Sequence, residues 1–527
     1  MKITFVTPTP PDVASFGVRA LSAYLKREGK KVRNIFLPGG IKKYKYQKGY
    51  VYKYEKHIID QTIELCRGSD LIGISFMTNY FDRAVQLTEE IKKKIDCPII
   101  WGGIHPTVAP EESLKYSDMI CIGEGEEALL ELVEKIKKGE DYFDTKNMWF
   151  KKDGRIIKNQ LRPVNQSLDS LPFFDFGLDD HYIFDHLRNC ISSMTKDLLK
   201  RCFPLEPNSE GTFNDSYKRT LSYKTMTTRG CPHHCTFCAE RTLAELYQSQ
   251  PYFRKRSIQH VIYELMNIKE HLPFIESIFL FDDTFTARPL EEIIEFSGEF
   301  KSKIGLPFHI QASPNTLTKE KLDALIDGGL VFVEMGIQSV SKAGMNIYKR
   351  NIAKNVLLKK ARMLKQYLDK IYSPCYHVIL DNPWETTADV IETLKFILEL
   401  PRPFWLKRAS LVCFPGTELY HRAKIEGIIK TDEDEKREIY NKHLHMPKAT
   451  YVNFLIYLVG FSYFPRWIIR VLATQALVFL FDRKIFSGIY LLTYRIMEMS
   501  IIISKGFKSI FVGDFKRIYK FLKRMYT

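Results

Sequence analysis

Hydrophobic positions in the first 135 or so residues come as short solid runs separated by amphipathic stretches. Ile3-Thr4-Phe5-Val6, Asp70-Leu71-Ile72-Gly73-Ile74-Ser75-Phe76, Pro98-Ile99-Ile100-Trp101-Gly102-Gly103 and Met119-Ile120-Cys121-Ile122 read as buried strands. Val18, Leu21 and Leu25 recur at helical spacing within Gly17–Glu28, and a second helix is predicted near Asp82–Ile95. This rhythm predicts a doubly wound, flavodoxin- or Rossmann-like parallel sheet, whose ligands bind beyond the carboxyl ends of its strands. Residues 136–220 read as a connector. Within it, Asn147-Met148-Trp149-Phe150 and Gly154-Arg155-Ile156-Ile157 predict a hairpin with a Lys-Asp-Gly turn, and Glu206–Tyr217 an exposed loop. The alternation resumes over 221–427, with strands predicted at Lys224–Thr228, Ser277–Phe281, Phe308–Ala312, Val331–Gln338, Cys375–Leu380 and Trp405–Val412. Residues 428–527 form a last, helical region that starts on the charged run Asp432–Arg437.

A chain of 527 residues accommodates these units as separate domains. Seven of the ten cysteines are scattered singly, and Met1-Lys2-Ile3-Thr4-Phe5 starts no secretory signal, so a reducing cytoplasm is expected. The net charge of +16 is uneven, because Lys442–Thr527 holds fourteen Lys/Arg against three Asp/Glu, a local +11. Its uncharged runs, Ala449–Pro465 and Val471–Phe481, are seventeen and eleven residues long, short of the roughly twenty that span a bilayer. Arginines, Trp467 and a terminal segment, Lys505–Arg524, in which seven cations mix with Phe and Ile, predict helices lying in an anionic membrane interface over 449–527. The alternative is a helical cap over the barrel mouth. Either suits a hydrophobic or lipid-like small-molecule substrate, and no nucleic acid is expected as a partner.

The candidate chemistry is in Thr228-Arg229-Gly230-Cys231-Pro232-His233-His234-Cys235-Thr236-Phe237-Cys238. Thiolates suit iron–sulfur clusters or zinc, and a four-iron cube takes four of them. Cys231, Cys235 and Cys238 supply three, which leaves one iron open to a ligand. Zinc, with His233 or His234 as fourth ligand, is the competing reading, although zinc sites commonly pair ligands across a longer spacer.

The C-x3-C-x2-C spacing, with aromatic Phe237 before the last cysteine, resembles the signature of the radical S-adenosylmethionine enzymes. That resemblance implies a partial (β/α)6 TIM-type barrel, a 4Fe-4S cluster on the three cysteines and S-adenosylmethionine on the open iron. It also implies an electron donor such as flavodoxin or ferredoxin. The N-terminal domain resembles the cobalamin-binding module, whose elements are D-x-H-x-x-G, S-x-L and G-G. Here these read Asp12-Val13-Ala14-Ser15-Phe16-Gly17, Ser75-Phe76-Met77 and Gly102-Gly103, so Ala14 replaces the cobalt-ligating histidine. The resemblance implies cobalamin without a protein histidine on cobalt, contacted by Asp12, Gly17, Ser75, Gly102, Gly103, His105 and Glu124. The bland alternative is a flavodoxin-like domain whose glycines only make turns.

By the same likeness, and because barrel sites sit at strand ends, Asp282, Asp283, Ser313, Glu334, Gln338, Ser339, Arg350, Asp381 and Glu385 are implied in S-adenosylmethionine binding. The family usually has a glycine near Asp381. The two resemblances together imply a methyltransferase acting at an unactivated carbon (or phosphorus) through a 5′-deoxyadenosyl radical and methylcobalamin. The rivals are radical oxidative cyclisation or rearrangement on the same scaffold, and a non-enzymatic cobalamin or metal sensor.

Overall fold

The computed structural model describes residues 1–8, 15–38, 43–46, 49–207, 220–248, 250–440, 447–461 and 464–511. Nine strands form the first large sheet: β1 (Lys2–Thr7), β2 (Lys31–Phe36), β3 (Leu71–Ser75), β4 (Ile99–Gly102), β5 (Met119–Cys121), β6 (Met148–Lys152), β7 (Arg155–Lys158), β8 (His181–Asp185) and β9 (Cys190–Ser193). Their order is β9-β8-β2-β1-β3-β4-β5-β6-β7. The central five run parallel in the flavodoxin order, with the switch point between β1 and β3. Ile3 and Phe5 pack on one face and Val6, Ile72 and Ile74 on the other, so the centre of the sheet is covered on both sides.

The segment expected to be a connector supplies both edges of this sheet. Its hairpin, β6–β7, turns at Asp153 and Gly154, both with positive φ, as a tight hairpin requires. Strand β2 was not among the expected strands, because Arg33 and Asn34 interrupt its apolar run. Asn34 is fully buried, and its amide donates to Ser22 Oγ at 2.8 Å and lies 2.9 Å from His181 Nε2.

The second sheet has β10 (Leu205–Glu206), β11 (Thr220–Thr225), β12 (Ser277–Leu280), β13 (Phe308–Ala312), β14 (Leu330–Gln338), β15 (Cys375–Leu380) and β16 (Trp405–Ser410), paired in sequence order. From β11 to β16 every pairing is parallel, the topology of a partial (β/α)6 barrel.

The C-terminal region is helical, and one expectation fails there. Most of the described part of the apolar run Ala449–Pro465 does not lie at a surface. Its helix Tyr451–Val459 is buried in the barrel's core cluster beside helix Thr387–Ile397. Asn453 donates to Asp381 Oδ1 at 2.8 Å and Tyr451 N to Asp482 Oδ1 at 3.1 Å, so its polar groups find partners inside the protein.

His105 marks where the segment after the barrel returns to the first domain. It is fully buried against Phe76, Phe81 and Tyr440, with Nδ1 3.3 Å from Thr78 Oγ1 and Nε2 3.8 Å from Glu112. Burial pushes its imidazole down to about 3, so the native state keeps it neutral while the unfolded chain protonates it below its ordinary 6.5. Its contribution to stability is therefore complete above pH 6.5 and is lost as pH falls toward 3. From pH 7 to pH 5 that amounts to about 2 kcal/mol. Urea unfolding at the two pH values should show His105→Phe losing less stability than the native chain by that amount.

Candidate active site

After β11 the chain runs through Thr227, Thr228 and Arg229 into the cysteine loop. Asp282, at the end of β12, accepts from the backbone and hydroxyl of Thr227 at 2.6 Å each, and from those of Thr228 at 2.8 and 3.1 Å. It is fully buried and faces protein, so it holds the entry to the loop instead of lining a cavity. Gly230 turns the chain at φ +86°, where a Cβ would stand 2.6 Å from the Tyr252 carbonyl oxygen.

All three loop cysteines are free. Burial pushes the Cys231 thiol up to about 11 and Cys238 higher still, so a metal's charge is needed to hold them as thiolates. Arg350 Nη1 approaches Cys235 Sγ at 3.6 Å. Three thiols on one loop suit three corners of a 4Fe-4S cluster. Phe237 packs edge-on against Tyr348 at 5.2 Å and anchors the loop from behind.

Beside the triad, Asp283, Ser313, Glu334, Gln338 and Arg350 line one cavity together with Thr284, Gln311, Gly336 and His377. Gln338 sits at φ +68° at an irregularity of β14, and Arg350 Nη2 donates to the Gly336 carbonyl at 3.0 Å. Burial alone would raise the Glu334 carboxyl, but His377 at 3.3 Å and Lys407 at 3.8 Å outweigh it and hold the group ionised, at about 2. Ser313 Oγ and Arg350 Nε are buried without partners. Asp283 opens onto the cavity, and burial and then Asp282 raise its carboxyl to about 6. Glu240, just past Cys238, is raised to about 8 by burial and then by Asp283. The Asp283 carboxyl and the orphaned Ser313 Oγ and Arg350 Nε are thus open to a polar ligand, as the methionyl end of S-adenosylmethionine would be.

Ser339, Glu385 and Asp381 lie behind this cavity. Ser339 and Ser341 both donate to Glu385 Oε1, at 2.7 and 2.6 Å, which ties the β14 and β15 ends together. Asp381 adopts φ +61°, the left-handed conformation that a glycine would take easily. Its carboxylate accepts from Ser410 Oγ, Lys448 N and Asn453 Nδ2 at 2.6–2.8 Å, and so fastens the C-terminal region to the barrel.

In the first domain, Ser75, Gly102 and Gly103 gather at the ends of β3 and β4, with Gly17 opposite Ser75. Nothing lies within 4 Å of a Cβ built on Gly102, whereas one on Gly103 (φ +95°) would strike the Phe76 carbonyl oxygen at 2.8 Å. This open-floored cradle fits the tail of a large cofactor. Asp12 lies outside the described residues. His105 packs in the aromatic stack and away from the cradle. The two domains meet where Phe16 approaches Phe281 at 6.0 Å.

Glu124 also does something other than what was expected. Its Oε1 accepts from Arg229 Nη1 at 3.1 Å and Arg254 Nη2 at 2.8 Å, while Glu126 Oε1 accepts from Arg229 Nη2 at 2.5 Å. Asn165 N donates to Glu124 Oε2 and Asn147 Nδ2 to its carbonyl, at 3.1 and 2.9 Å. The Gly123-Glu124-Gly125-Glu126 segment therefore grips the residue that leads into the cysteine loop. Arg229, His377 and Glu240 were not among the expected site residues. Adjacency to the triad was the available signal for Arg229 and Glu240, and the two-residue strand period was the signal for His377.

Family models match the chain at residues 4–133, as a B12 binding domain, and at residues 225–397, as the radical SAM superfamily. An uncharacterized methyltransferase of Pyrococcus horikoshii is 26% identical over 372 residues, which cover 69% of this chain and 71% of the relative. The bacteriochlorophyllide d C-8(2)-methyltransferase of Chlorobaculum tepidum is 21% identical over 377 residues, 70% of this chain and 71% of that one. In fold, the chain is similar to the radical S-adenosylmethionine methyltransferase TsrM from Kitasatospora setae, solved with a tryptophan substrate and a SAM analog bound. The TM-score is 0.60 at 16% identity, covering 81% of this chain and 76% of TsrM.

Arg229→Ala would leave Glu124 and Glu126 facing each other with a single cation, Arg254. Because Arg229 keeps about a quarter of its side chain exposed, the loss sits at the low end for a broken buried pair, about 3 kcal/mol. Denaturant unfolding should show it, and iron retained per chain after reconstitution should fall alongside.

Proposed function

The chain belongs to the radical S-adenosylmethionine superfamily and carries a B12 binding domain, and on that premise we propose that it is a methyltransferase working through both cofactors at one interdomain site. The observation that supports this reading is the fork from Glu124 and Glu126 to Arg229, which ties the first domain to the segment leading into the cysteine loop. The methyltransferase names of both curated relatives support methyl transfer over cyclisation or rearrangement. The substrate proposed is a hydrophobic or lipid-like small molecule, methylated at an unactivated carbon or at phosphorus.

When bound, the 4Fe-4S cluster and S-adenosylmethionine supply a 5′-deoxyadenosyl radical, and cobalamin supplies a methyl carrier. The protein's part is binding, orientation and exclusion of water. Cys231, Cys235 and Cys238 hold three corners of the cluster, and Arg350 neutralises charge at Cys235. Asp283, Ser313, Glu334 and Gln338, which line the cavity, would receive the methionyl and ribose end of S-adenosylmethionine, with the unpartnered Ser313 Oγ and Arg350 Nε among the polar atoms facing it. Ser75, Gly102 and Gly103 would receive cobalamin, and Ala14 stands in the sequence where a cobalt-ligating histidine would be. The partner proposed for electron supply is a flavodoxin or ferredoxin. The oxygen-sensitive site suits the cytoplasm, with peripheral contact to the inner face of the membrane through the C-terminal region. No described helix is long and apolar enough to cross a membrane.

Anaerobic incubation of the reconstituted protein with cobalamin, reductant and S-adenosylmethionine should yield both 5′-deoxyadenosine and S-adenosylhomocysteine. Deoxyadenosine alone would favour cyclisation or rearrangement, and neither product, with an intact cluster, would remove the proposal. Cys235→Ala should abolish deoxyadenosine formation. Gly103→Ala, which forces a side chain into a positive-φ, extended-ψ conformation essentially reserved for glycine and against the Phe76 backbone, at a cost of about 1–3 kcal/mol, should lower cobalamin content at least severalfold while iron content stays unchanged.

A further inference from the structure

The C-terminal helices carry apolar residues on two sides, and only one side is used. In the helix Ser487–Phe511, Tyr490, Tyr494 and Met497 face the barrel core. Ile489, Leu492, Ile496 and Met499, spaced three, four and three residues apart, are exposed on the other side. The shorter elements that also surround the buried helix Tyr451–Val459 repeat the pattern. Helix Arg466–Leu472 buries Ile469 and exposes Trp467 at 67%. Helix Gln475–Phe481 buries Val478 and exposes Phe479 at 74%, and Ile485 follows at 83%. A soluble surface that sheds water this poorly on successive elements is an interaction surface.

Charge identifies the occupant. The exposed cations Arg470, Arg483, Lys484 and Arg495 are interleaved with those side chains, and the following sequence, Lys505–Arg524, adds seven cations against one Asp. Aromatic and aliphatic side chains alternating with lysine and arginine match the boundary of a negatively charged bilayer, where apolar groups enter the acyl region and cations meet phosphates. We propose that the outer faces of Arg466–Leu472, Gln475–Phe481 and Ser487–Phe511 form a docking surface for an anionic phospholipid bilayer. The docked protein would lie on the membrane without crossing it. The proposal rests on the peripheral-membrane part of the reading above and is independent of methyl transfer.

Flotation of the full, reconstituted protein with vesicles tests it. Binding to phosphatidylcholine vesicles containing phosphatidylglycerol should exceed binding to pure phosphatidylcholine by roughly tenfold and should fall with added salt. Leu492→Asp with Ile496→Asp, at positions already in water, should abolish flotation, and Arg483→Glu with Arg495→Glu should weaken it roughly tenfold. Circular dichroism and deoxyadenosine formation without vesicles should not change in either variant. No flotation of the folded wild-type protein, or flotation indifferent to the aspartates, would overturn the proposal. So would a dimer, seen by light scattering, that the aspartates dissociate, since a second copy would then be the occupant. Loss of methyl transfer with flotation intact would overturn the enzymatic reading alone.

Discussion

The ionic fork in which Glu124 and Glu126 enclose Arg229, with Arg254 sharing the same Glu124 oxygen, Oε1, is the constraint on which the rest depends. Buried ion pairs contribute little net stability, since the desolvation of each charge offsets most of the attraction. They do contribute geometry, because a guanidinium fork accepts two carboxylates in only one arrangement. Here that geometry ties the end of a doubly wound sheet to the residue preceding the cysteine loop. Tyr247 reinforces it, its hydroxyl accepting from Glu124 N at 3.3 Å and filling the space beside Gly123. The first sheet and the barrel are thereby tied together at the segment that leads into the cysteine loop.

The same logic explains the barrel interior. A TIM-type interior is ordinarily filled by branched apolar side chains. In this one Phe332, Cys375 and Trp405 form a small cluster of their own. Two residues further along the same three strands come Glu334, His377 and Lys407, and the orphaned Ser313 Oγ and Arg350 Nε lie in the cavity that Glu334 and His377 line. Unpartnered buried groups are costly to the apo fold and have value when a ligand supplies their partners. The barrel is therefore built for an occupied state.

Much of this was legible in the sequence wherever one physical signal dominated. Strands β13 and β15 have the bounds that the apolar runs predicted, and the cysteine spacing located the loop. Three kinds of signal misled. A polar residue satisfied by distant partners hid a strand, as Asn34 hid β2 through Ser22 and His181. An apolar run cannot say whether protein or lipid covers it, so Ala449–Pro465 looked interfacial and is core. Strand-end carboxylates looked alike in sequence, yet Asp282 serves two threonines, Asp381 the C-terminal helix and Asp283 the cavity. What each one faces is set by tertiary contacts that no local pattern encodes.

The most direct test of the central claim, one site built by two domains locked through Arg229, is electron paramagnetic resonance of the protein holding cob(II)alamin and the reduced cluster together. The account predicts a spin–spin interaction between cobalt and cluster that disappears in Glu124→Gln with Glu126→Gln, while each isolated signal persists. Two non-interacting spectra in the native protein would contradict it.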